Sequence, residues 1–410
     1  MYSPIAVFMV GMLMVTTFAP TSQAEPVKIN TSARAPAIET WQLHEVWHLG
    51  GEDADLDEPL LGVVNKGLVD ESGHFWLLDT QLAHILEISP AGEYLQTIGG
   101  QGNGPGELQR PQDITLLSDG KIGVLQSYPA CIVKLHRDGT PAGSIAVDDP
   151  AINYWNLRSA GGTTVVSGQR NDYERKDPTR STTYRFIKSL TAEGLDRHLY
   201  LDGTSYTQWQ PPVADESKGF FPTSLWDLKS NGTLVIAPQR DLFHLEFIDP
   251  AGQTLRIVDR PIAPYQRNRA DRQKIADRMS MNSNGKELEV KKIILDTERA
   301  INSITAMHDG TIWVETCFGR RDLPEGVFRR YDVLDNEGNL LKEVHLRCEA
   351  RQDLDGFGLL PDGHFIWIRN LTSAFRSMYP GMPKADDEEE AEDDDVMLKI
   401  VVLQRVPFEK

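Results

Sequence analysis

The sequence predicts an all-β protein built as a six-bladed β-propeller, closed by an N-terminal strand that completes the last blade. Three observations predict this fold: glycine turns recur along the chain, short strand-forming segments separate them, and the last repeat lacks one turn. Glycine adopts positive φ angles without steric cost, so it favours tight turns between antiparallel strands. Turn chemistry that repeats at about 40 to 50 residues favours blades over the alternative, a β-sandwich with a second domain.

The first type of turn joins strands a and b of each repeat. A short segment rich in β-branched and apolar residues follows each turn, such as Thr233 to Ile236. Six turns of this kind predict six blades, and they contain Gly73, Gly120, Gly162, Gly232, Gly310 and Gly363.

The second type of turn joins strands c and d, and it occurs only five times, at Gly92, Gly139, Gly194, Gly252 and Gly338. The chain ends in a strand from Met397 to Leu403 with no strand d after it. The segment Thr40 to His48 precedes the first a–b turn, so we expect it to supply the missing strand. Closure of this kind leaves no bare sheet edge.

The beginning of the chain predicts export to the periplasm or the outside of the cell. An apolar segment from Ile5 to Ala19 is followed by small residues up to Ala24, which is typical of a signal peptide over residues 1–24. That segment is shorter than the roughly 20 residues of a membrane-spanning helix. We therefore expect no membrane anchor in the mature form, a linker over 25–38 and a propeller domain over 39–410.

Charge and cysteine content exclude two classes of protein. Acidic residues outnumber basic ones by 60 to 42, and the net charge is −18, so nucleic acid is not an expected partner. The three cysteines, Cys131, Cys317 and Cys348, are too few for a disulfide scaffold. Whether Cys317 and Cys348 form a bridge or stay free is left open by their spacing.

One part of the chain resembles a known family. The segment Trp76 to Thr80, then His84 and Ile85, and then the glycine-rich segment Ile98 to Glu107 before Pro111 are similar to the NHL repeat. The similarity covers roughly residues 60 to 150. It implies a propeller fold, and NHL-like propellers include binding modules, peptide-amidating lyases with histidine-bound metal, and exported bacterial proteins.

Insertions are unequally distributed over the two faces of the predicted propeller. The a–b and c–d turns on one face are short, whereas the b–c and d–a connections on the other face are long, and long loops commonly carry function. The predicted long connections are residues 168–184, 202–226, 238–242, 261–300, 317–327 and 370–396. The insert 261–300, between blades 4 and 5, is predicted to be helical and is either a lid or a packing element. The acidic part of the last connection, about 380–396, is predicted to be disordered.

The long connections supply the candidate ligand-binding residues. Arginines stand beside carboxylates there, and a guanidinium suits the capture of a carboxylate or phosphate. Aromatic residues in the same connections could form the wall of a carbohydrate or peptide site. Solvated ion pairs and loop anchors are the alternative interpretation. The candidates are Arg170, Arg175, Arg240, Asp241, Arg320, Arg321, Tyr128 and Trp209.

No metal ligand or cofactor is predicted. The ten histidines show no chelating spacing, although blades far apart in sequence could together bind zinc. Acidic loops at Asp53, Asp55, Asp57 and Glu58, and at Asp353 and Asp355, resemble calcium loops only loosely. Catalytic residues are not identifiable.

Three functions are consistent with the sequence. The first is an exported propeller that binds a small anion, a carbohydrate or a peptide at the channel mouth, on the face with the long connections. The second is a lyase or lactone hydrolase that uses a metal or Arg and Tyr residues around the channel. The third is a scaffold for protein interactions.

Overall fold

The computed structural model describes residues 25–405, apart from residues 53, 55–56, 128, 147–148, 150, 174–178, 284–285 and 379–396. The described chain is all-β and has a propeller-like arrangement, in which antiparallel sheets surround a central cavity. The predicted signal peptide and the acidic tract Asp386 to Asp395 lie outside the described residues.

The described elements of the first half of the chain are all strands. They are β1 (Val27–Asn30), β2 (Ile38–Gly50), β3 (Val64–Val69), β4 (Phe75–Asp79), β5 (His84–Ile88), β6 (Tyr94–Gly99), β7 (Pro111–Leu116), β8 (Ile122–Ser127), β9 (Ala130–Leu135), β10 (Pro141–Ala146), β11 (Ile152–Ala160), β12 (Thr163–Tyr173), β13 (Arg180–Leu190), β14 (Asp196–Trp209) and β15 (Pro212–Asp215).

Strands also dominate the described part of the second half, which has three helices between them. The elements are α1 (Glu216–Gly219), β16 (Trp226–Leu228), β17 (Leu234–Ile236), β18 (Phe243–Ile248), β19 (Thr254–Arg260), α2 (Arg269–Arg278), β20 (Asn282–Ser283), β21 (Lys286–Glu287), β22 (Lys291–Ile293), β23 (Ile301–Ala306), β24 (Ile312–Thr316), β25 (Arg329–Leu334), β26 (Leu340–Arg347), β27 (Gly356–Leu359), β28 (Phe365–Arg369), α3 (Leu371–Met378) and β29 (Lys399–Arg405).

Consecutive strands pair as antiparallel meanders. The first sheet is β3 to β6 and the second is β7 to β10. The third sheet is β11 to β14 with β15 and β22 added at its outer edge, and the fourth is β16 to β19 with β1 added in parallel. Strands β20 and β21 form a two-stranded sheet, and the other strands form one eight-stranded sheet in the order β23-β24-β25-β26-β2-β29-β28-β27.

Strand β2 joins the two ends of the chain, as the turn count predicts. Its residues 43–50 pair antiparallel with β29, which is the last described strand. Its residues 38–42 pair in parallel with β26, a contact that the sequence did not predict. Because β2 is 13 residues long, it bridges two meanders and merges them into the eight-stranded sheet.

The predicted a–b turns have glycine at positive φ, and a carboxylate precedes the glycine in several of them. In the first of them, Gly73 has φ 81° and its N–H donates to the carbonyl of Asp70 at 3.0 Å. The Asp70 carboxylate accepts from the backbone N–H groups of Ser72 and His74 and from Trp76 Nε1. Burial would raise the pKa of Asp70, but these hydrogen bonds hold it below its ordinary value.

The closing interface has its own apolar core. Leu49 of β2, Leu77 of β4, Ile366 of β28 and Ile400 of β29 belong to one buried cluster. Burying a Leu or Ile side chain contributes roughly 1.5 to 3 kcal/mol. Since the cluster contains residues from both ends of the chain, the ring is closed by packing as well as by backbone hydrogen bonds.

Two predicted long connections are largely strand. Residues 168–173 belong to β12, residues 180–184 to β13, and residues 202–209 to β14, so the predicted loops 168–184 and 202–226 are wrong over these residues. The pairs Arg170↔Tyr184 and Thr183↔Ser205 continue the ladder outward. These strands carry polar residues on both faces, so they lack the alternation that marks a half-buried strand in a sequence.

Candidate functional site

A cavity of about 440 Å³ lies among the strands that begin each meander. Residues of β3, β7, β11, β16, β23 and β27 all contribute to its wall. The central cavity therefore lies where the sheets converge.

Four charged residues lie in a row along the wall of the central cavity. Lys66 Nζ lies 3.8 Å from Asp113 Oδ1, Arg158 Nη1 lies 2.9 Å from Asp113 Oδ2, and Arg158 Nε lies 3.5 Å from Asp227 Oδ1. Asp113 and, to a lesser extent, Asp227 raise the pKa of Arg158, although burial opposes them. Because positive and negative side chains alternate, these four residues together carry little excess charge.

Asp113 and Asp227 join neighbouring sheets. The Asp113 carboxylate accepts from the backbone N–H of Ile114 on its own strand and of Leu157 on the next sheet. The Asp227 carboxylate likewise accepts from the backbone N–H of Leu228 on its own strand and of Ala306 on the next sheet. Because their oxygens are engaged in these contacts, both carboxylates are structural.

A second cavity, of about 360 Å³, shares Lys66 and Arg158 with the central cavity, and we call it the Glu315 cavity. Glu315 is 1% exposed and lies between two guanidinium groups. Its Oε1 is 2.5 Å from Arg320 Nε, and its Oε2 is 3.5 Å from Arg329 Nη1. One carboxylate therefore pairs with two cations, of which Arg329 is buried and Arg320 is exposed, and compensates them only in part.

Arg329 retains an unused hydrogen-bond donor in the Glu315 cavity. Its side chain is 4% exposed, and its Nε has no partner among the described residues. The guanidinium lies over the rings of Phe328 and Phe357 at 4.9 and 5.1 Å, which fixes its plane. Burial, and then the charge of Glu315, raises the pKa of the adjacent Tyr331 to about 12, so its hydroxyl stays protonated.

A third cavity, of about 350 Å³, lies under helix α2, and we call it the α2 cavity. It shares Asn302 and Arg320 with the Glu315 cavity, so the two adjoin. The ionisable residues of its lining include three carboxylates, Asp271, Glu298 and Asp353. They also include six cationic residues, Arg267, Lys274, Arg278, Arg299, Arg320 and Arg321.

Helix α2 presents a charged face to this cavity. Asn268 caps the helix and forms a capping box with Asp271. Asp271, Lys274, Ile275 and Arg278 follow helical spacing and all line the cavity. Asp271 is the one buried residue of α2, so the helix is attached through charge rather than through an apolar face.

The cations of the α2 cavity differ in their pairing. Arg267 bonds Glu216, and Arg321 bonds Asp271 and Glu298. Among the described residues, Lys274, Arg278 and Arg299 form no ion pair; Arg299 Nε donates instead to Asn302 Oδ1 at 3.1 Å.

The environment of Arg299 disfavours its charge. Burial lowers the pKa of its guanidinium, Glu315 opposes this effect, and the like charges of Arg320 and Arg240 add to it. A bound anion would relieve this cost.

The structure brings two of the predicted candidates together and separates the others. Arg320 and Arg321 line the α2 cavity. Arg240 is not among the residues of these cavities, and it bonds Glu216 at 3.1 Å, Asp241 at 2.5 Å and the carbonyl of Thr297 at 2.8 Å. Arg240 and Asp241 therefore brace the segment before β23.

The remaining candidates lie elsewhere. Arg170 pairs with Asp149 and Asp172 on the extended third sheet. Trp209 donates from Nε1 to Ser181 Oγ at 3.0 Å, so it is a strand anchor. Tyr128 and Arg175 lie outside the described residues.

Sequence reasoning missed three residues of the two cavities. Arg299 lies in the predicted connection 261–300 but is not among the candidates, while Glu315 and Arg329 lie outside the predicted connections. Lys274 and Arg278 lie in the insert 261–300 that is predicted to be helical, but their spacing of four was not used. A spacing of four places both residues on one face of a helix, so the sequence did contain a signal that they face the same site.

The predicted cysteine and calcium features have structural explanations where the residues are described. Cys131, Cys317 and Cys348 are all free thiols. The Asp355 carboxylate accepts from the backbone N–H groups of Arg351 and Asn370 and from Trp367 Nε1. Asp53 and Asp55 lie outside the described residues. Across the described part of the chain, no group of three His, Cys, Asp or Glu side chains is placed to hold a metal ion.

No family model matches this chain, and no curated protein matches it by sequence. Solved structures with similar strand arrangements include a Bacteroides fragilis protein assigned as exported, with 10% identity, coverage of 90% of this chain and 100% of that chain, and a TM-score of 0.49. Virginiamycin B lyase from Staphylococcus aureus matches with 13% identity, 89% and 99% coverage and a TM-score of 0.42. Regucalcin, a calcium-binding protein from Agrobacterium tumefaciens, matches with 12% identity, 90% and 97% coverage and a TM-score of 0.42. These similarities assign no activity to this chain.

Within the described residues, no helix has the length and apolar character needed to cross a membrane.

Proposed function

We propose that this protein is an exported, six-bladed, NHL-like propeller that binds a small anionic molecule in the α2 cavity. The observation that carries the proposal is Arg299, a cation on the cavity wall that forms no ion pair among the described residues. Six cationic residues line the cavity, although the whole chain has a net charge of −18. Cations are concentrated here against the overall charge of the molecule.

The physical argument concerns charge compensation. A charge that is partly removed from water is unfavourable unless an opposite charge or hydrogen-bond acceptors compensate it. Arg299 donates to the Oδ1 and the backbone carbonyl of Asn302. Its charged neighbours are Arg320 and Arg240 and the carboxylates Glu315 and Glu298, and it forms an ion pair with neither carboxylate. A carboxylate or phosphate bound beside Arg299 would supply the missing charge and accept a bidentate hydrogen bond.

The size of the cavity favours a small molecule. Volumes of about 350 and 360 Å³ for the α2 and Glu315 cavities fall in the range of small-ligand sites. We place these cavities at the mouth of the propeller channel, on the face with the long connections. Helix α2 covers the α2 cavity there as an insert between the fourth and fifth blades.

Export is supported by the first 24 residues, whose apolar segment and small-residue end are typical of a signal peptide. The mature protein would then consist of a linker over 25–38 and one propeller domain over 39–410. The six a–b turns of the sequence and the six strands around the central cavity support six blades.

Isothermal titration of the mature protein with benzoate, succinate, glucuronate and glucose 6-phosphate tests the proposal. We expect at least one of these anions to bind, and its affinity to fall as KCl is raised. Arg299→Gln should weaken binding at least tenfold. The matched control, Arg170→Gln, removes an exposed arginine distant from the cavity lining and should retain wild-type affinity. Absence of binding by all four anions, or equal affinity in Arg299→Gln, would overturn the proposal.

A further inference from the structure

We infer that the ligand carries two anionic groups, one bound in the α2 cavity and the other beside Arg329 in the Glu315 cavity. This inference rests on the proposed function and adds a second subsite to it. Its independent evidence is the unused Nε donor of Arg329, a side chain that is only 4% exposed.

An unused donor on a buried guanidinium is uncommon in folded proteins. Nearly all buried polar groups have a hydrogen-bond partner, and leaving one without a partner costs stability. Arg329 Nη1 has Glu315 and the carbonyl of Phe357 as neighbours, at 3.5 and 3.3 Å, whereas Nε has no partner among the described residues. A ligand oxygen in the Glu315 cavity would satisfy it.

The local charge supports an anion at this point. Glu315 is the one carboxylate that pairs with both Arg320 and Arg329 among the described residues, so two guanidinium groups share one negative charge. Lys66 and Arg158 also line this cavity, but Asp113 and Asp227 compensate them. One positive charge is therefore left over beside Arg329.

The two subsites adjoin through shared residues. Arg320 and Asn302 line both cavities, so a single molecule can extend from Arg299 to Arg329 along them. The lining of the Glu315 cavity also includes the amide of Asn156 and the rings of Tyr331 and Phe357. This lining suits an elongated molecule with acidic ends and an uncharged middle, such as an α,ω-dicarboxylate.

A homologous series of carboxylate ligands tests the inference. The dicarboxylates from malonate to suberate are titrated beside monocarboxylates of the same chain length. We expect one dicarboxylate length to bind at least tenfold more tightly than its monocarboxylate. Equal affinity of the two series at every length, with binding still sensitive to Arg299→Gln, would overturn the second subsite and leave the proposed function intact. If no carboxylate binds at all, both proposals fail.

A variant of Arg329 tests where the second anionic group of the ligand binds. Arg329→Lys keeps the charge but removes the Nε donor and the planar guanidinium. The ratio of dicarboxylate to monocarboxylate affinity should fall close to one in this variant, with an unchanged thermal midpoint confirming the fold. A ratio that stays at its wild-type value would place the second anionic group away from Arg329.

Discussion

Arg321 joins helix α2 to the body of the protein through Asp271. Its Nη1 lies 2.8 Å from Asp271 Oδ1, its Nη2 lies 2.6 Å from Glu298 Oε1, and its guanidinium lies 5.0 Å from the centre of the Tyr265 ring. Because Asp271 is the one buried residue of α2, this contact is a principal attachment of the helix. The cover of the α2 cavity therefore depends on an ion pair.

Arg321→Gln should loosen α2 without unfolding the protein. The pair is about one-third exposed on the arginine side, so we expect a loss of about 1 kcal/mol or less in global stability. Hydrogen exchange of residues 269–278 should accelerate clearly, because the helix loses its attachment. Arg272→Gln, which removes the exposed pair with Asp296, is the matched control and should change exchange less. Equal protection of α2 in wild type and Arg321→Gln would show that other contacts hold it.

His84 should make the protein less stable in mild acid. Burial lowers the pKa of its ring, Asp79 opposes this effect, and Nε2 has no hydrogen-bond partner among the described residues. Below pH 6.5 the unfolded chain takes up a proton more readily than the native ring, so the stability contributed by His84 is lost as pH falls. Urea unfolding at pH 7 and pH 5 should show a smaller decrease for His84→Gln than for wild type.

The control for His84 is His136→Gln, since His136 is exposed. It should retain the wild-type decrease between the two pH values. A decrease in His84→Gln as large as that of wild type would exclude His84 as its source.

The closing interface should be sensitive to lost packing. Leu49 and Ile400 are partners in the β2–β29 ladder and are 2% and 0% exposed. Leu49→Ala and Ile400→Ala should each cost about 2 to 4 kcal/mol in the free energy of unfolding. The double variant should deviate from additivity by at least 0.5 kcal/mol, because the two side chains belong to one cluster. Val46→Ala on the same strand, at a site 44% exposed, should stay within about 0.5 kcal/mol of wild type.

Arg260 and Asp332 form a buried ion pair between the fourth sheet and the eight-stranded sheet. Arg260 also donates to the carbonyls of Ser32 and Ala33, which ties the N-terminal segment to the same point. Arg260→Met should cost about 3 to 5 kcal/mol, because it leaves Asp332 buried without its partner. Adding Asp332→Leu should recover part of this loss in urea unfolding. If the double variant is no more stable than Arg260→Met, charge burial is not the cause.

Asp332 should make the folded protein less stable as the pH rises above 4. Burial raises its pKa to about 6, although Arg260 acts in the opposite direction. Since the folded pKa lies above the ordinary value of 3.8, the stability contributed by this group is present below pH 4 and is lost as pH rises through 6. Relative to wild type, Asp332→Asn should therefore gain stability between pH 4 and pH 6. A parallel pH profile in the two proteins would contradict the raised pKa.

Local features were the most predictable from sequence. The a–b turn at Gly73 follows from glycine at a position of positive φ and from Asp70 before it, and both lie within a few residues of each other. The pairing of β2 with β29 was predictable because a strand was missing from the last repeat. The parallel pairing of β2 with β26 was not predictable. No local sequence feature specifies which sheet edge residues 38–42 will pair with.

The candidate site was predicted in part. Arg320 and Arg321 were found because arginine beside a carboxylate in a long connection is visible in sequence. Arg299 and Arg329 were not found, because their significance lies in which carboxylates are absent around them after folding. Arg240 and Arg170 show the converse, since each has its own acidic partners and neither is among the residues that line the cavities.

The sequence by itself determined the all-β character, the repeated turns and the joining of the two ends, because each depends on short-range backbone preference or on the count of strands. Only the tertiary structure decided which cations share one cavity and which of them remain uncompensated. Charge compensation is a property of distances between side chains from different sheets and inserts, and Arg299, Glu315 and Arg329 become neighbours only when those elements pack around the channel.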